Sequence, residues 1–256
     1  MLAADMNARS REALQSKLTT YHAVNEAVFS LVPVSAARIL DIGCGSGTLG
    51  EKLRQQRERQ IVGITYSQEE AELASGRLSQ AICADLNSFD FSPLGQFDCV
   101  IMSHILEHLY SPETFLQRLK RVLHPQSVIV VALPNVLFWR QRWEFLMGRW
   151  RYRDGGIMDR THFRFFNCQS SEELLESAGY EILTARYDGA FPLTGVVRKV
   201  IGPLGKKVDG FMCTRLPGLF AFQFVYLAKM KELFGPCAPE PNRRSPRLRA
   251  SAARGR

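Results

Sequence analysis

The stretch ILDIGCGSGTLG, residues 39–50, decides the fold. A short apolar run ends at Asp41, glycines follow at positions 43, 45 and 47, and a helical pattern begins directly after them. Glycine lets a backbone turn sharply and approach a ligand closely, and open α/β sheets bind ligands at the carboxyl ends of their strands. The stretch therefore predicts a strand–loop–helix unit that holds a ligand.

Short strands and longer amphipathic segments alternate around this loop. The predicted strands are RIL (38–40), IVGIT (61–65), AICA (81–84), FDCVIM (97–102), SVIVVAL (127–133), YEILTARYD (180–188) and LFAFQFVYLAK (219–229). The fifth is rich in β-branched residues, as a buried parallel strand should be. Helical patterns separate the first five, so the sequence predicts an α/β fold that is doubly wound around a mostly parallel sheet of seven strands.

Turn and capping residues suggest where the later elements begin and end. Ser111 and Pro112 occupy the N-cap and first position of one helix. Ser170 and Glu173 have the spacing of a capping box, and Gly179 follows at the position of a helix C-cap. Residues 190–217 are expected to be rich in loops.

The composition excludes several classes of protein. A chain of 256 residues that is 46% hydrophobic can bury one sizeable core. The six cysteines stand at least 16 residues apart without a CxxC pair, which argues against zinc knuckles, iron–sulfur clusters and a disulfide framework. No apolar run is long enough to span a membrane, and the N-terminus lacks a secretory signal, so we expect a cytoplasmic protein.

The positive charge is concentrated in the last residues. The net charge is +8, but NRRSPRLRASAARGR (242–256) contains six arginines and no acid, which leaves +2 for the rest. This tail is expected to be disordered. It could attract an anionic membrane surface, and with residues 190–220 it could make a peripheral membrane contact. Nucleic acid is an unlikely partner, and the oligomeric state is left open.

Two ligand registers compete in the glycine loop. Residues 45–50 satisfy G-x-G-x-x-G, the dinucleotide pattern, but that pattern wants an acid about twenty residues later, where Thr65 stands. The alternative register begins with Asp41, two residues before Gly43. An acid there suits a cationic ligand, and S-adenosylmethionine carries both an ammonium and a sulfonium group. S-adenosylmethionine is therefore the predicted cofactor, with Asp85 as an acceptor for the adenine amino group.

The motifs that follow support this register. LDIGCGSG (40–47), ADL (84–86), FDCVIMSHILEHLYSP (97–112) and LPN (133–135) resemble the successive motifs of class I S-adenosylmethionine-dependent methyltransferases. The resemblance implies a seven-stranded sheet with one antiparallel strand near its edge. The cofactor residues that it implies are Asp41, Gly43, Cys44 and Gly45 at the methionine end, Asp85 and Leu86 beside the adenine, and Ser103 beneath the methionine.

One position departs from that family's pattern. The family usually carries an acid at the end of the second strand to hold both ribose hydroxyls, whereas this chain carries Thr65. Cyclopropane-fatty-acid-type enzymes show a similar threonine. A single hydroxyl should hold the ribose less firmly than a carboxylate, so we expect weaker cofactor affinity.

The segment SHILEHLYSP (103–112) places His104, Glu107 and His108 within five positions. Three interpretations remain open: a metal site like the E-x-x-E-H cluster of ubiquinone-type O-methyltransferases, a general base at His108, or hydrogen bonds that fix the loop. Methyl transfer needs no Lewis acid, so no metal is expected. The H-x-x-E-H pattern of a zinc peptidase would leave the glycine loop unexplained.

An aromatic and basic segment follows the fifth strand. GIMDRTHFRFF (156–166), with the preceding FWRQRWEFLMGRW, resembles small methyltransferases of bacterial glycan assembly or natural-product tailoring. The resemblance implies a lid over residues 136–167, with Asp159, His162 and Arg164 in the pocket. His162, oriented by Asp159, is the first candidate for the base that deprotonates an alcohol acceptor, and His108 is the second. In the alternative interpretation Asp159 pairs with Arg164 and His162 only packs.

The chain is thus expected to comprise an N-terminal helical cap (1–37), an S-adenosylmethionine-binding core (38–135), the lid (136–167), a segment that completes the sheet (168–232) and the tail (233–256). The predicted function is O-methylation of a small-molecule, glycan or lipid-linked acceptor. The alternative is a non-catalytic accessory subunit like those of bacterial methionine biosynthesis, which share a PN-x-x-x-W-R-x-R run, here PNVLFWRQR (134–142).

Overall fold

The computed structural model describes residues 24–193, 199–200 and 202–231. The predicted tail and residues 1–23 of the N-terminal cap lie outside these ranges. The strands are β1 Arg38–Ile42, β2 Gln60–Thr65, β3 Gln80–Cys83, β4 Phe97–Ser103, β5 Leu123–Pro134, β6 Tyr180–Gly189 and β7 Ala221–Met230. The helices are α1 Glu26–Leu31, α2 Thr48–Gln56, α3 Gln68–Ser75, α4 Pro112–Leu119, α5 Trp139–Leu146, α6 Cys168–Ser177, α7 Pro203–Arg215 and α8 Pro217–Phe220.

The seven strands form one sheet in the order β3-β2-β1-β4-β5-β7-β6. Neighbours among β1 to β5 pair in parallel, and β7 runs antiparallel to both β5 and β6. The predicted doubly wound fold, with its single antiparallel strand next to an edge, is confirmed. The carboxyl ends of β1 to β6 and the start of β7 therefore meet at one edge of the sheet, where ligands of such folds bind.

The core lies on both faces of the sheet because the central strands carry buried apolar side chains on both sides. Along β1, Ile39 points to one face and Leu40 and Ile42 to the other, and all three side chains are fully buried. Helices α1, α2 and α3 cover the face of Ile39. Helices α4 and α6 cover the opposite face.

Two local predictions are wrong. Helix α6 begins at Cys168 with Asn167 as its N-cap, and the capping box joins Asn167 to Ser170 rather than Ser170 to Glu173. The asparagine side chain accepts from the Ser170 N–H, so the helix starts one turn earlier than the serine suggested. Gly179 does follow the helix end, with a φ of +83°.

The expected loop at 190–217 contains helix α7, Pro203–Arg215. Pro203 occupies the first turn of that helix, where a backbone N–H would have no partner within the helix and proline is therefore tolerated. Only Gly205 and Cys213 are buried among its described residues, so the helix packs little apolar surface against the core.

Candidate active site

The glycine loop turns tightly at the carboxyl end of β1. The N–H groups of Gly43 and Cys44 both donate to the Ile64 carbonyl, at 2.7 and 3.0 Å, which ties the loop to the end of β2. Gly43 has a φ of +76°, and a Cβ on it would lie 1.9 Å from Cδ1 of Ile105. Any larger residue would therefore be strained and would clash. Gly47, also at positive φ, is the N-cap of α2.

Asp41 lies at the base of this loop as a buried carboxyl group. The residue is 2% exposed, and its Oδ2 atom has no hydrogen-bond partner among the described residues. Burial raises the pKa of Asp41 to about 7. An unpartnered buried carboxyl oxygen is costly, and a cationic ligand would satisfy it. The loop and Asp41 thus fit the ammonium end of S-adenosylmethionine.

The end of β2 holds a carboxylate that the sequence analysis missed. Thr65 is buried, and its hydroxyl donates to Oε2 of Glu70 at 2.5 Å. Glu70 stands three residues after Ser67, which caps α3 through the Glu70 N–H. This S-x-x-E spacing is typical of a capping box, so the sequence alone disguises the acid. A Cβ atom added to Gly45 would lie 3.9 Å from the other Glu70 oxygen, Oε1, so this oxygen is close to the glycine loop. Glu70 therefore restores an acid between the glycine loop and β2.

The remaining cofactor candidates lie at the same edge. Asp85 follows β3 and is exposed, and its Oδ1 accepts from the backbone N–H and side-chain amide of Asn87. Leu86 packs against the core. Ser103 ends β4, where its hydroxyl accepts a weak hydrogen bond from the Asn25 amide at 3.4 Å. The edge thus brings together residues from the ends of four strands.

His104 contacts Glu107 with its ring but is not grouped with His108. Its φ of +58° is unusual for a residue with a side chain. Its Nε2 lies 2.9 Å from Oε1 of Gln223 on β7, and its Nδ1 lies 3.3 Å from Oε1 of Glu107. Partial burial opposes its charged form, but the hydrogen bond and charge of Glu107 outweigh that effect and raise the pKa of His104. Both ring nitrogens face oxygen acceptors, so the imidazolium is the form that fits.

His108 instead meets His162 from the lid segment. The two rings stand edge to face, with centroids 4.6 Å apart. His108 Nδ1 lies 3.2 Å from the Thr161 carbonyl, and His162 Nδ1 lies 3.2 Å from the Ile157 carbonyl. A carbonyl only accepts, so each Nδ1 carries the proton and each Nε2 keeps a lone pair. Burial lowers the pKa of His162 by more than the nearby Glu107 and Asp159 carboxyl groups raise it, which keeps the ring neutral at physiological pH.

Glu107 completes this cluster. It is fully buried, and its Oε2 has no hydrogen-bond partner in the described part of the chain. One ligand atom each from Glu107, His108 and His162 lies within 4.8 Å of the others, so these three could hold a metal ion. The group that could hold a metal therefore contains Glu107 and His108 from the sequence motif, with His162 in the place of His104.

The Asp159 side chain is linked by hydrogen bonds to His108, and its charge also acts on His162. Its Oδ1 accepts from both the N–H and the hydroxyl of Thr161, at 2.8 and 2.7 Å. Burial alone would raise the pKa of Asp159, but these hydrogen bonds lower it. Thr161 Oγ1 lies 3.1 Å from His108 Nδ1. Because the Thr161 hydroxyl donates to Asp159, its oxygen acts as the acceptor toward His108. The Asp159 side chain thus reaches the His108 ring through Thr161, while the Asp159 backbone carbonyl accepts from the His162 N–H at 3.1 Å.

The lid segment is fastened to the HILEH turn by its backbone. The N–H groups of Phe163 and Arg164 both donate to the Glu107 carbonyl, at 2.9 and 3.1 Å. The Arg164 guanidinium donates to the Tyr110 carbonyl at 3.0 Å. These contacts hold His162 against His108 although the two residues are distant in sequence.

Comparison with known proteins agrees with this geometry. Residues 11–185 match the family model described as a methyltransferase domain. The chain belongs to this methyltransferase family. Its domain is of the S-adenosylmethionine-dependent type, as the resemblance of the glycine loop implied.

Curated relatives align over part of the chain. A probable S-adenosylmethionine-dependent methyltransferase of Mycolicibacterium smegmatis is 28% identical over 145 residues, which are 56% of this chain and 52% of the relative. A ubiquinone biosynthesis O-methyltransferase of Bradyrhizobium diazoefficiens is 33% identical over 114 residues, 42% of this chain and 44% of the relative. The chain thus spans about half the length of the curated relatives it matches.

Solved structures share the fold. A methyltransferase of Archaeoglobus fulgidus superposes with a TM-score of 0.53 at 20% identity, covering 86% of this chain and 94% of the other. A plantazolicin methyltransferase in complex with SAH gives 0.52 at 18% identity, covering 89% of each chain. Among the described residues, no helix of the methyltransferase is long and apolar enough to cross a membrane.

Proposed function

We propose that this methyltransferase methylates an oxygen atom of a small-molecule or glycan acceptor, including a lipid-linked one, with a histidine as general base. The observation that carries the proposal is the His108–His162 pair. Both rings contact a backbone carbonyl through Nδ1, which would leave each Nε2 to accept a proton, and one nitrogen of each ring lies within 4.8 Å of a Glu107 oxygen. His108 lies on the turn that follows Ser103, next to the cofactor edge, and His162 packs against it from residues 156–166. The relative from Bradyrhizobium diazoefficiens is named as an O-methyltransferase, which agrees with an oxygen acceptor.

The cofactor would be held from three sides. Asp41 would pair with its ammonium group, and the glycine loop would leave room for its methionine part. Thr65 and Glu70 would bind the ribose hydroxyls, and Asp85 with Leu86 would flank the adenine. When bound, S-adenosylmethionine supplies a methyl group on a cationic sulfur, and its transfer to oxygen forms a C–O bond and breaks a C–S bond.

The protein's own part is positioning and proton removal. The lid segment would exclude water from the pocket, and alignment of the acceptor would supply much of the rate enhancement. His162 Nε2 would take the hydroxyl proton of the acceptor, and the nearby Glu107 carboxylate would stabilise the imidazolium that results. His108 is the second candidate, oriented by Thr161 and Asp159.

A lipid-linked acceptor would also bring this edge of the molecule to a membrane. Residues 190–220 and the Arg-rich tail are the segments that the sequence suggests for such a contact. The methyltransferase would then be peripheral to the membrane.

The test is a methyl-transfer screen with labelled cofactor over sugar, phenol, carboxylate and lipid-linked acceptors. His162→Ala should lower kcat by about 10²–10⁴-fold with the true acceptor while cofactor affinity stays unchanged. His124→Ala is the matched control, because His124 lies at the opposite edge of the sheet, against Asp98. A chelator should leave the rate unchanged.

Normal turnover in both His162→Ala and His108→Ala would show that neither histidine is the general base. A rate that falls with the chelator and returns with added metal would make the cluster a metal site instead. Cofactor binding without transfer to any acceptor class would favour the accessory subunit.

A further inference from the structure

The exposed apolar side chains of this protein gather at the active-site edge. Across residues 24–193, 199–200 and 202–231, most large apolar side chains that face solvent lie in segments at the carboxyl ends of the parallel strands. These are Tyr66, Tyr110, Trp143, Leu146, Met147, Trp150, Tyr152, Phe163, Val200, Leu204, Phe211, Leu216 and Phe222. The remainder, Val34, Leu73 and Leu183, lie elsewhere. So uneven a distribution points to an interaction surface.

Two segments supply most of this surface. In the lid, Trp143 and Trp150 are 58% and 52% exposed. On α7, Leu204 and Phe211 are 56% and 60% exposed, and their spacing of seven residues places them on one side of the helix. Arg215, four residues after Phe211, continues that side and lies over the Phe211 ring at 5.5 Å.

The two segments adjoin, so they form one face. The Trp139 indole N–H on α5 donates to the Ala190 carbonyl at 2.9 Å, directly after β6. Arg142 on α5 donates to the Gly218 carbonyl on α8 at 3.2 Å. We name the exposed side chains of the lid and of α7, taken together, the apolar–basic face.

The charge on this face indicates which partner it fits. Residues 136–167 contain seven arginines and three acids, and residues 199–216 contain four cations and one acid. Two of the lid acids are already engaged by arginines, as in the pair of Arg160 and Asp154 at 2.8 Å. Tryptophan, leucine and phenylalanine interleaved with unpaired cations are typical of protein surfaces that lie in the headgroup region of a bilayer.

We propose that the apolar–basic face docks on an anionic phospholipid surface and thereby presents the active site to an acceptor carried by a membrane lipid. The docking is independent of the catalytic roles proposed above, whereas the lipid-borne acceptor rests on the proposed function. Each cation near an anionic surface strengthens binding roughly fivefold, so the face needs only part of its charge for stable attachment. The partner contact thus extends beyond residues 190–220 and the tail to include the lid.

The chain's own tryptophans make the test direct, since all three, Trp139, Trp143 and Trp150, lie in the lid. The full-length protein, without cofactor or acceptor, is mixed with vesicles of phosphatidylglycerol in phosphatidylcholine or of phosphatidylcholine alone. Tryptophan emission should shift to shorter wavelength, and brominated lipid should quench it, with the anionic vesicles only.

A charge-neutral variant separates the face from the tail. Leu204→Ser with Phe211→Ser should weaken partitioning by about tenfold or more, because two apolar side chains no longer enter the lipid. Val34→Ser with Leu73→Ser is the matched control and should bind like the wild type, since both side chains are exposed away from this face.

Co-sedimentation with anionic vesicles without tryptophan quenching would overturn the proposal, because the Arg-rich tail alone would then account for binding. Equal loss in both double variants, or no binding at all, would overturn it as well. A concentration-dependent dimer that Leu204→Ser with Phe211→Ser abolishes would mean that a second copy covers the face. Vesicle binding with methylation of only water-soluble acceptors would retain the docking and reject the lipid-borne acceptor.

Discussion

Replacing Asp41 by asparagine should stabilise the ligand-free protein and weaken its hold on the cofactor. The two effects have one cause. Asp41 is buried with an unpartnered oxygen, and the free energy that its ionised form costs the empty fold is recovered when a cation binds. Asparagine has nearly the same shape and no charge, so it removes the cost and the benefit together.

The magnitude follows from the pKa of Asp41. Burial raises this pKa from 3.8 to about 7. A tenfold change in the protonation equilibrium corresponds to ~1.4 kcal/mol. A raised pKa means that the folded state holds the proton more tightly than the unfolded state. Below the ordinary pKa, Asp41 therefore does not lower the free energy of unfolding. As the pH rises to about 7, the free energy of unfolding falls by about 4 kcal/mol in all. Asp41→Asn should not show this loss.

The assay is denaturant unfolding of both proteins, without cofactor, at about pH 4 and about pH 8. The stability of Asp41→Asn relative to the wild type should rise between these two conditions by up to about 4 kcal/mol. In a calorimetric titration above pH 7, the variant should bind S-adenosylmethionine about 10- to 150-fold more weakly, the equivalent of ~1.5–3 kcal/mol for a lost hydrogen bond to a charged group.

Below about pH 7, wild-type binding should also release a proton, because the ammonium group favours the ionised carboxylate. The variant should not show this release. Asp90→Asn, a substitution of an exposed aspartate, should match the wild type throughout. Unchanged cofactor affinity in Asp41→Asn would refute the assignment of Asp41 to the ammonium group, and equal pH dependence of both stabilities would refute its raised pKa.

Two further predictions concern the same edge. Glu70→Ala should raise the Kd for the cofactor by about tenfold, because Thr65 alone would remain to bind the ribose; titrations of Glu70→Ala and of the exposed control Glu72→Ala would be compared, and equal affinities would exclude the role. Gly43→Ala should destabilise the fold by about 1–3 kcal/mol, since its Cβ would overlap Ile105 and its φ is positive; denaturant unfolding of the variant measures this, and a loss of less than about 0.5 kcal/mol would mean that the loop relaxes freely.

The sheet could be predicted from the sequence because its signals are local. Each buried strand is a short apolar run, and the glycine loop fixes where the first strand ends and α2 begins. The antiparallel β7 came from the family resemblance rather than from periodicity. Helix α7 was missed because it buries almost nothing against the core, and the few apolar residues spaced along it did not distinguish it from a loop.

The cofactor edge was predicted in outline for a similar reason. Residues that end parallel strands meet at one edge, so the position of Asp41 follows from the strand pattern, whereas the role of Ser103 came from the family resemblance. Glu70 was missed because its contact with Thr65 crosses from a helix to a strand, while its spacing from Ser67 has a sufficient local explanation. A side chain with two plausible partners cannot be assigned from spacing alone.

The histidine cluster depends on tertiary contacts and could be predicted only in part. The sequence offers His104, Glu107 and His108 as neighbours, yet the left-handed backbone at His104 directs that ring to Gln223 on β7. His162 enters from the lid because Phe163 and Arg164 are bound to the Glu107 carbonyl.

Two buried carboxylates with unpartnered oxygens, Asp41 and Glu107, give this edge its chemical character. A protein selected for stability alone would replace them, since each unpartnered oxygen costs free energy that an apolar side chain would not. Asp41 gains a partner when a cation enters the glycine loop. Glu107 already has His104 on one oxygen, and its other oxygen would gain a partner when a neighbouring histidine takes a proton. His104, held in its left-handed backbone conformation with Gln223 on one ring nitrogen, places the other nitrogen against Glu107. The strain at His104 and the penalty at Asp41 thus serve the same edge of the sheet: the first places a ring against Glu107, and the second would be offset by binding of a cationic cofactor.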